Sequence, residues 1–264
     1  MFYNSNKYYF NFILSVEPQK VIRTVTHFIS RETQKRNFKG VVVGLSGGLD
    51  SSVSATLAVQ ALGPRCVFAL ILPDSNITPK SDIYDAQRLA GCLRVRHRTF
   101  EIGTIKKSFI GKLPSNKVAQ GNLASRLRMS ILYYYAAVMH RLVLGTTDKS
   151  ELRLGYYTKY GDGAADIFPL ADLYKTDVRE LARYLKIPSV ILEKKSSPRL
   201  WRSQTAEGEI GLSYEEIDHI LRRLDANSLN KSKLNLKYYQ KIKTIVKKNK
   251  HKREMPPICK ISKC

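Results

Sequence analysis

The sequence predicts an α/β fold: a doubly wound parallel sheet with helices on both faces. Three observations carry this. Short apolar runs rich in β-branched residues, such as "GVVVGL" and "CVFALILP", alternate with longer segments whose apolar positions recur at helical spacing. The first of these runs breaks into "SGGLDSS", a glycine turn that leads directly into a helix. The 264 residues are 43% hydrophobic with 15 glycines and 10 prolines, the balance of an ordered chain able to bury a core. Such alternation requires right-handed crossovers, which set successive strands parallel and cover both faces of the sheet.

Each element follows in order. In "PQKVIRTVTHFISRETQKR" the residues Val21, Ile22, Val25, Phe28 and Ile29 share one helical face. "GVVVGL" is a buried strand, and "DSSVSATLAVQALG" is a helix closing at Gly63. "CVFALILP" is a second strand, followed by the helix "PKSDIYDAQRLAGCL" with Ser81 as its N-cap. "HRTFEI" is a third strand, "NLASRLRMSILYYYAAVMH" a long helix and "RLVLGTT" a fourth strand. Beyond residue 150 the alternation loosens. "GYYTKYGDGAAD" reads as a mobile polar loop, and "YKTDVRELARYLK", "SYEEIDHILRRL" and "LKYYQKIKTIVKKNK" as later helices. Ligands in such sheets bind at the carboxyl ends of strands, which places "SGGLDSS" and "GTTDKSE" on one edge.

The totals exclude several classes. No stretch is long and apolar enough to span a membrane, and "MFYNSNKYYFNFILSV" lacks the basic start and cleavage site of a secretory signal. Cys66, Cys92, Cys259 and Cys264 form no C-x-x-C pair and have no histidine at zinc-site spacing, so they read as thiols in a reducing cytoplasm. The net charge is +23, and the segment from Ala226 onward holds twelve Lys or Arg against one Glu. That excess suits nucleic acid, an anionic substrate or a solvated face, and charge alone does not choose. The chain reads as one domain over 1–264. It comprises an N-terminal helical segment (1–37), a core (38–225) and a basic C-terminal helix and tail (226–264).

The turn over Gly44, Leu45, Ser46, Gly47, Gly48, Leu49, Asp50 and Ser51 has the chemistry of an anion cradle. Paired glycines allow close backbone approach, the following helix presents free N–H groups, and the serines add hydroxyl donors. Asp50 would repel a phosphate unless a cation such as Mg²⁺ lay between them. The Walker pattern with its lysine is absent. The strand–SGGLDSS–helix unit instead resembles the loop of the ATP pyrophosphatases, which hold the β,γ-diphosphate and break the α–β bond.

Further segments narrow the resemblance. "GNLASRLRM", "VLGTTDKSE", "GYYTKYGDGAADIFPLADLYKTDVRELA", "QTAEGEIGLSYEEID" and "HKREMPP" occur in order, and together they look like ammonia-dependent NAD synthetase. The resemblance covers residues 38–225 and the HKR segment. It implies a Rossmann-like doubly wound parallel sheet of the adenine nucleotide alpha hydrolase-like type. It also implies ATP-dependent amidation of deamido-NAD to NAD⁺ by ammonia, through an acyl adenylate, releasing AMP and diphosphate. By the same resemblance, Gly44 to Ser51 bind ATP together with Thr146, Lys175 and Ser197. Asp50 and Glu151 hold Mg²⁺. Arg126, Lys159, Asp166, His251 and Lys252 bind deamido-NAD. A homodimer is implied too, with "ILYYYAAVMHRL" as the contact helix, and neither a membrane nor a nucleic acid is required. No amidohydrolase extension is visible, so free ammonia, or a partner subunit that supplies it, is the expected nitrogen source.

Some positions depart from the family. "GTTD" stands where "GTGN" is common, so Thr147 and Asp148 are expected to alter the nucleotide edge. Ala206 replaces an aspartate, and Pro198 and Arg199 stand where small or acidic residues are frequent. Two other readings remain open at this stage: a different ATP pyrophosphatase acting on tRNA or another carboxylate, and a nucleotide-binding or nucleic-acid-binding module without catalysis.

Overall fold

The computed structural model describes residues 17–226 and 235–261. The apolar opening, residues 1–16, and Cys264 lie outside the described residues.

Strand β1 (Val41–Gly44) pairs in parallel with β2 (Val67–Ile71) on one side and with β4 (Leu142–Leu144) on the other. Strand β3 (Arg96–Thr99) continues the sheet beyond β2, giving the order β3-β2-β1-β4. The order runs outward from β1 to β3, then jumps back across β1 to β4. That reversal, the double winding expected from the sequence, opens a crevice between the carboxyl ends of β1 and β4.

Helix α1 (Pro18–Lys35) opens on a proline and buries Val21, Val25, Ile29 and Thr33 at four-residue intervals. Helix α2 (Leu49–Leu62) ends at Gly63, whose φ of +77° is readily adopted by glycine. Helix α3 (Lys80–Cys92) begins at Lys80 with Pro79 in the cap position, so Ser81 lies inside the first turn and is not the N-cap. Helix α4 (Gly103–Ile110) was not anticipated from the pattern. Glu101 makes it by accepting hydrogen bonds from the N–H groups of Gly103 (2.8 Å) and Thr104 (3.1 Å). Helix α5 (Lys117–Met139) starts five residues before the "NLASRL" pattern, because Asn116 Oδ1 accepts from Ala119 N–H at 2.9 Å.

Alternate strand residues feed two cores. Val41, Val43, Val67, Ala69, Ile71, Leu142 and Leu144 face α1, α2 and α3 together with α7 (Lys175–Tyr184). Val42, Phe68, Leu70 and Val143 face α5 through Ala124, Ala136 and Leu132. This is the period-two division that makes a buried parallel strand apolar throughout. Edge strand β3 is the exception, with Arg96, His97, Arg98 and Thr99 all exposed.

The later elements form a third cluster. Helix α6 (Lys149–Leu154) contributes Leu154, α9 (Ala206–Ile210) contributes Ile210, and α10 (Tyr214–Asp225) contributes Ile217 and Leu221. The basic helix α11 (Leu236–Lys248) seats Ile242 among them. A four-residue helix, α8 (Ser189–Leu192), follows α7. The Gly-rich loop expected to be mobile is instead folded against α5. Asp162 Oδ1 accepts from Ser125 Oγ (2.6 Å) and from Thr158 N–H (2.9 Å), and Thr158 Oγ1 donates to Asn122 Oδ1 (2.8 Å).

Candidate active site

The β1–α2 turn is held by its own serines. Ser46 N–H donates to Ser51 Oγ (3.2 Å), Ser51 Oγ donates to Gly48 O (3.1 Å), and Ser52 Oγ donates to the same carbonyl (2.7 Å). Gly47 has φ +75°, and a Cβ there would lie 2.2 Å from Asp82 O, so both backbone shape and close packing require glycine. The turn sits at the crevice between β1 and β4, on the edge that also carries Thr146, Thr147 and Glu151.

Below the turn lies a charge cluster. Lys175, 1% exposed at the start of α7, places its Nζ 2.7 Å from Asp148, 2.8 Å from Asp50 and 3.0 Å from Glu151. One oxygen from each carboxylate falls within 4.8 Å of the others. Three acids share one cation, so the ammonium is held far more firmly than usual: burial opposes its charge, and Asp148, Asp50 and Glu151 together outweigh burial. Burial pushes the Asp148 carboxyl up to about 6 against the pull of Lys175. Glu151 rises well above its ordinary value by burial, only partly opposed by Lys175.

Asp148 is the residue that sequence reasoning undervalued. It was expected to alter the nucleotide edge. It is fully buried, caps α6 by accepting from Glu151 N–H at 2.8 Å, and pairs with Lys175. The signal was present in "DKSE", an acid three residues before Glu151 in capping position. Arg128, in the GNLASRLRM segment, was assigned no role from the sequence. Its Nε donates to Leu72 O at 2.9 Å, and its side chain lines the cavity over the crevice.

That cavity is bordered by Gly44, Ser46, Gly48, Asp50, Ser51, Thr146, Glu151, Lys175 and Ser197, so the residues assigned to ATP and metal converge. The residues assigned to the dinucleotide divide. Arg126 donates to Lys159 O (3.2 Å), Lys159 Nζ donates to His251 O (2.9 Å), and Lys252 Nζ donates to Gly155 O (2.7 Å) and Tyr157 O (2.8 Å). These four residues meet on the 155–163 loop, whose Tyr156, Gly161 and Asp162 line the cavity from the other side. Asp166 does not join them. Its carboxylate accepts from Val143 N–H (2.7 Å) and Tyr133 OH (3.4 Å), which ties it to β4 and α5.

The sheet order, the serine-braced turn and the acid–lysine cluster are thus assembled on one crevice, and the family model for NAD synthase matches residues 21–256. The chain belongs to the NAD synthase family. A curated NH(3)-dependent NAD(+) synthetase of Archaeoglobus fulgidus is 43% identical over 244 residues, 92% of this chain and 97% of that protein. The solved structure of NMN synthetase from Francisella tularensis is similar at TM-score 0.85 and 36% identity, covering 92% of this chain and 99% of that one. NH3-dependent NAD synthetase from Campylobacter jejuni is similar at TM-score 0.82 and 35% identity, covering 93% and 100%.

Within the NAD synthase frame the acidic group invites a test for a metal. The donors are oxygens only, and Asp50 Oδ1 is buried without a hydrogen-bond partner. This donor set fits a hard divalent cation such as Mg²⁺.

Proposed function

We propose that this NAD synthase family member amidates deamido-NAD to NAD⁺ with ATP and ammonia, releasing AMP and diphosphate. The observation that carries the reading is the meeting of an anion-cradling turn with the carboxylates around Lys175 at the sheet's switch point. The names of the relatives, such as the Archaeoglobus fulgidus NH(3)-dependent NAD(+) synthetase, support the acceptor and the nitrogen source.

The chemistry divides into two transfers. The nicotinate carboxylate attacks the α-phosphorus, the α–β bond breaks, and diphosphate leaves into the turn. Ammonia then attacks the activated carbonyl, AMP departs, and the amide remains. The Ser46–Ser51 turn cradles the diphosphate with backbone N–H groups and hydroxyls. Asp50 and Glu151, with Asp148 alongside, would hold Mg²⁺, which when bound supplies Lewis-acid neutralisation of phosphate charge. Lys175 keeps those carboxylates together and faces the same space. Six cationic side chains border the cavity against four carboxylates, an excess that complements a metal-bound nucleoside triphosphate.

On the far side, Arg126, Lys159 and Lys252 form no ion pair among the described residues and give their donors to backbone carbonyls. Their cationic groups suit the phosphates of a dinucleotide, with His251 beside them. Thr146 and Ser197 are assigned to ATP by their place on the cavity wall. Asp166 acts at one remove, by fixing the start of β4. We place the molecule in the cytoplasm as a homodimer joined along α5, where Tyr134 and Val138 stand 69% and 70% exposed.

One assay tests the reading. ATP, Mg²⁺, deamido-NAD and ammonium are expected to yield NAD⁺ and AMP in equal amounts, with glutamine inactive and Asp50→Ala at least a hundredfold slower. The likeness to the Francisella tularensis NMN synthetase favours a second reading, in which a nicotinic acid mononucleotide is the acceptor. Faster turnover of the mononucleotide in the same assay would replace the first reading by the second. No AMP from either acceptor would sink both.

A further inference from the structure

The segment between α8 and α9 crosses the mouth of the cavity, and Lys194, Lys195, Ser197 and Arg199 all border it. Asp82, at the start of α3, anchors this segment. Its Oδ1 takes Lys194 Nζ at 2.8 Å and its Oδ2 takes Arg199 Nε at 2.9 Å, with the carboxylate almost wholly buried. Lys194 reaches further, donating to Gly47 O at 2.9 Å and pairing with Asp85 at 2.6 Å. Asp82 O is also the atom that packs on Gly47. The glycine turn, the start of α3 and the crossing segment therefore meet around one aspartate.

Arg199 is the unusual member of this group. It stands where the family resemblance gives small or acidic residues. Its φ of +51° is left-handed, a conformation that costs a non-glycine residue about 1 kcal/mol, and its N–H is held by Ser197 Oγ at 3.1 Å. Only Nε is committed to Asp82. Neither Nη makes a hydrogen bond among the described residues, so the outer fork of the guanidinium is available at the cavity wall. A planar fork with free donors is matched to phosphate oxygens, where a lysine would act as a point charge.

We propose that Arg199, held in place by Asp82, is an additional binding residue for the diphosphate leaving group. The proposal rests on the reading that ATP is cleaved between its α and β phosphates. Asp82 occupies one nitrogen and fixes the plane, and the Nη pair receives the β or γ phosphate as the α–β bond breaks. Tighter retention of the product follows, so diphosphate inhibits this protein more strongly than it inhibits the same protein lacking the guanidinium.

The test is calorimetric titration of the intact protein with diphosphate in the presence of Mg²⁺, alongside diphosphate inhibition of NAD⁺ formation. Arg199→Ala is expected to weaken diphosphate binding at least tenfold, the scale of losing a charge-assisted hydrogen bond. It should leave AMP binding within twofold, and Arg199→Lys should recover only part. Lys195→Ala removes the same charge from the same wall and is expected to weaken diphosphate less than threefold. Equal losses in Arg199→Ala and Lys195→Ala would overturn the proposal in favour of a general field, as would unchanged affinity in a folded Arg199→Ala protein. Absence of diphosphate binding by the unaltered protein would instead remove the ATP-cleavage reading, and this inference with it.

Discussion

Lys175 binds three carboxylates at once, and that arithmetic governs the residue scale. Deleting the ammonium strands Asp148, fully buried, beside Asp50 and Glu151 with no counter-charge. Breaking a buried ion cluster from one side costs about 3–5 kcal/mol. Lys175→Met is therefore expected to lose that much in urea denaturation, and Lys175→Met combined with Asp148→Asn to regain at least half. An unaltered urea midpoint in the single variant would show that the cluster contributes nothing to stability. Neither partner was legible as part of such a group from its own neighbourhood. Asp50 and Lys175 are 125 positions apart, and only the crossover from β1 to β4 and the return through α7 bring them together.

At the scale of elements, the short helix α4 shows what local pattern misses. "GTIKKSFI" has neither a capping residue of the usual kind nor a long apolar stripe. Its start depends on Glu101, which also accepts from Ser75 N–H and Oγ, both at 3.0 Å, and so joins the loop after β2 to the loop after β3. Burial raises the proton affinity of that carboxyl. The hydrogen bonds from Ser75, Thr104 and Gly103 together outweigh it and hold the group at about 2, below its ordinary 4.5. The native state thus binds its proton less readily than the unfolded chain. The contribution is whole above pH 4.5 and disappears as pH falls toward 2. Glu101→Gln is accordingly expected to unfold a few degrees lower at pH 7, with the gap closing on acidification. A gap that persists at pH 2.5 would assign the loss to something other than the charge. The effect is modest because solvent screens a partly open site. By contrast β1, α2 and β2 were legible almost to the residue, since strand period, glycine turn and helix period all lie within a few residues of one another. The folding of the 155–163 loop was not, because Asp162 acts through Ser125, 37 positions away, whereas the start of α5 lay in a short-range signal, the cap from Asn116 to Ala119, that the apolar pattern did not show.

For the whole molecule, helix α5 is the face to examine. Tyr134 and Val138, one turn apart, are exposed, while Tyr135 stacks on Phe68 at 5.6 Å and Tyr133 reaches Asp166. The three consecutive tyrosines thus divide between inside and outside, and Tyr134 and Val138 on the outer side are free for a second subunit. We expect light scattering after gel filtration to give twice the 30.1 kDa chain mass, and Val138→Arg to give the single mass with the fold retained. A monomeric unaltered protein would rule out the α5 contact. The β3 edge of the sheet is guarded differently: exposed Arg96 and Arg98 place like charges against any second copy.

The segment near the C-terminus has a consequence in time. Asn249 Nδ2 donates to Leu154 O, Lys252 Nζ to Gly155 O and Tyr157 O, and Arg253 to Arg153 O, so about a hundred residues separate each donor from its carbonyl. The glycine turn and the sheet are complete in the growing chain long before those donors are made. A ribosome that has not yet made residues 249–253 therefore holds a chain whose sheet and glycine turn have all their residues, but with the opposite wall unfastened. Domains fold as they emerge, N-terminal parts first. Here the order of synthesis separates acquiring a shape from acquiring a closed site, and the emergence of residues 249–253 is the event that joins them.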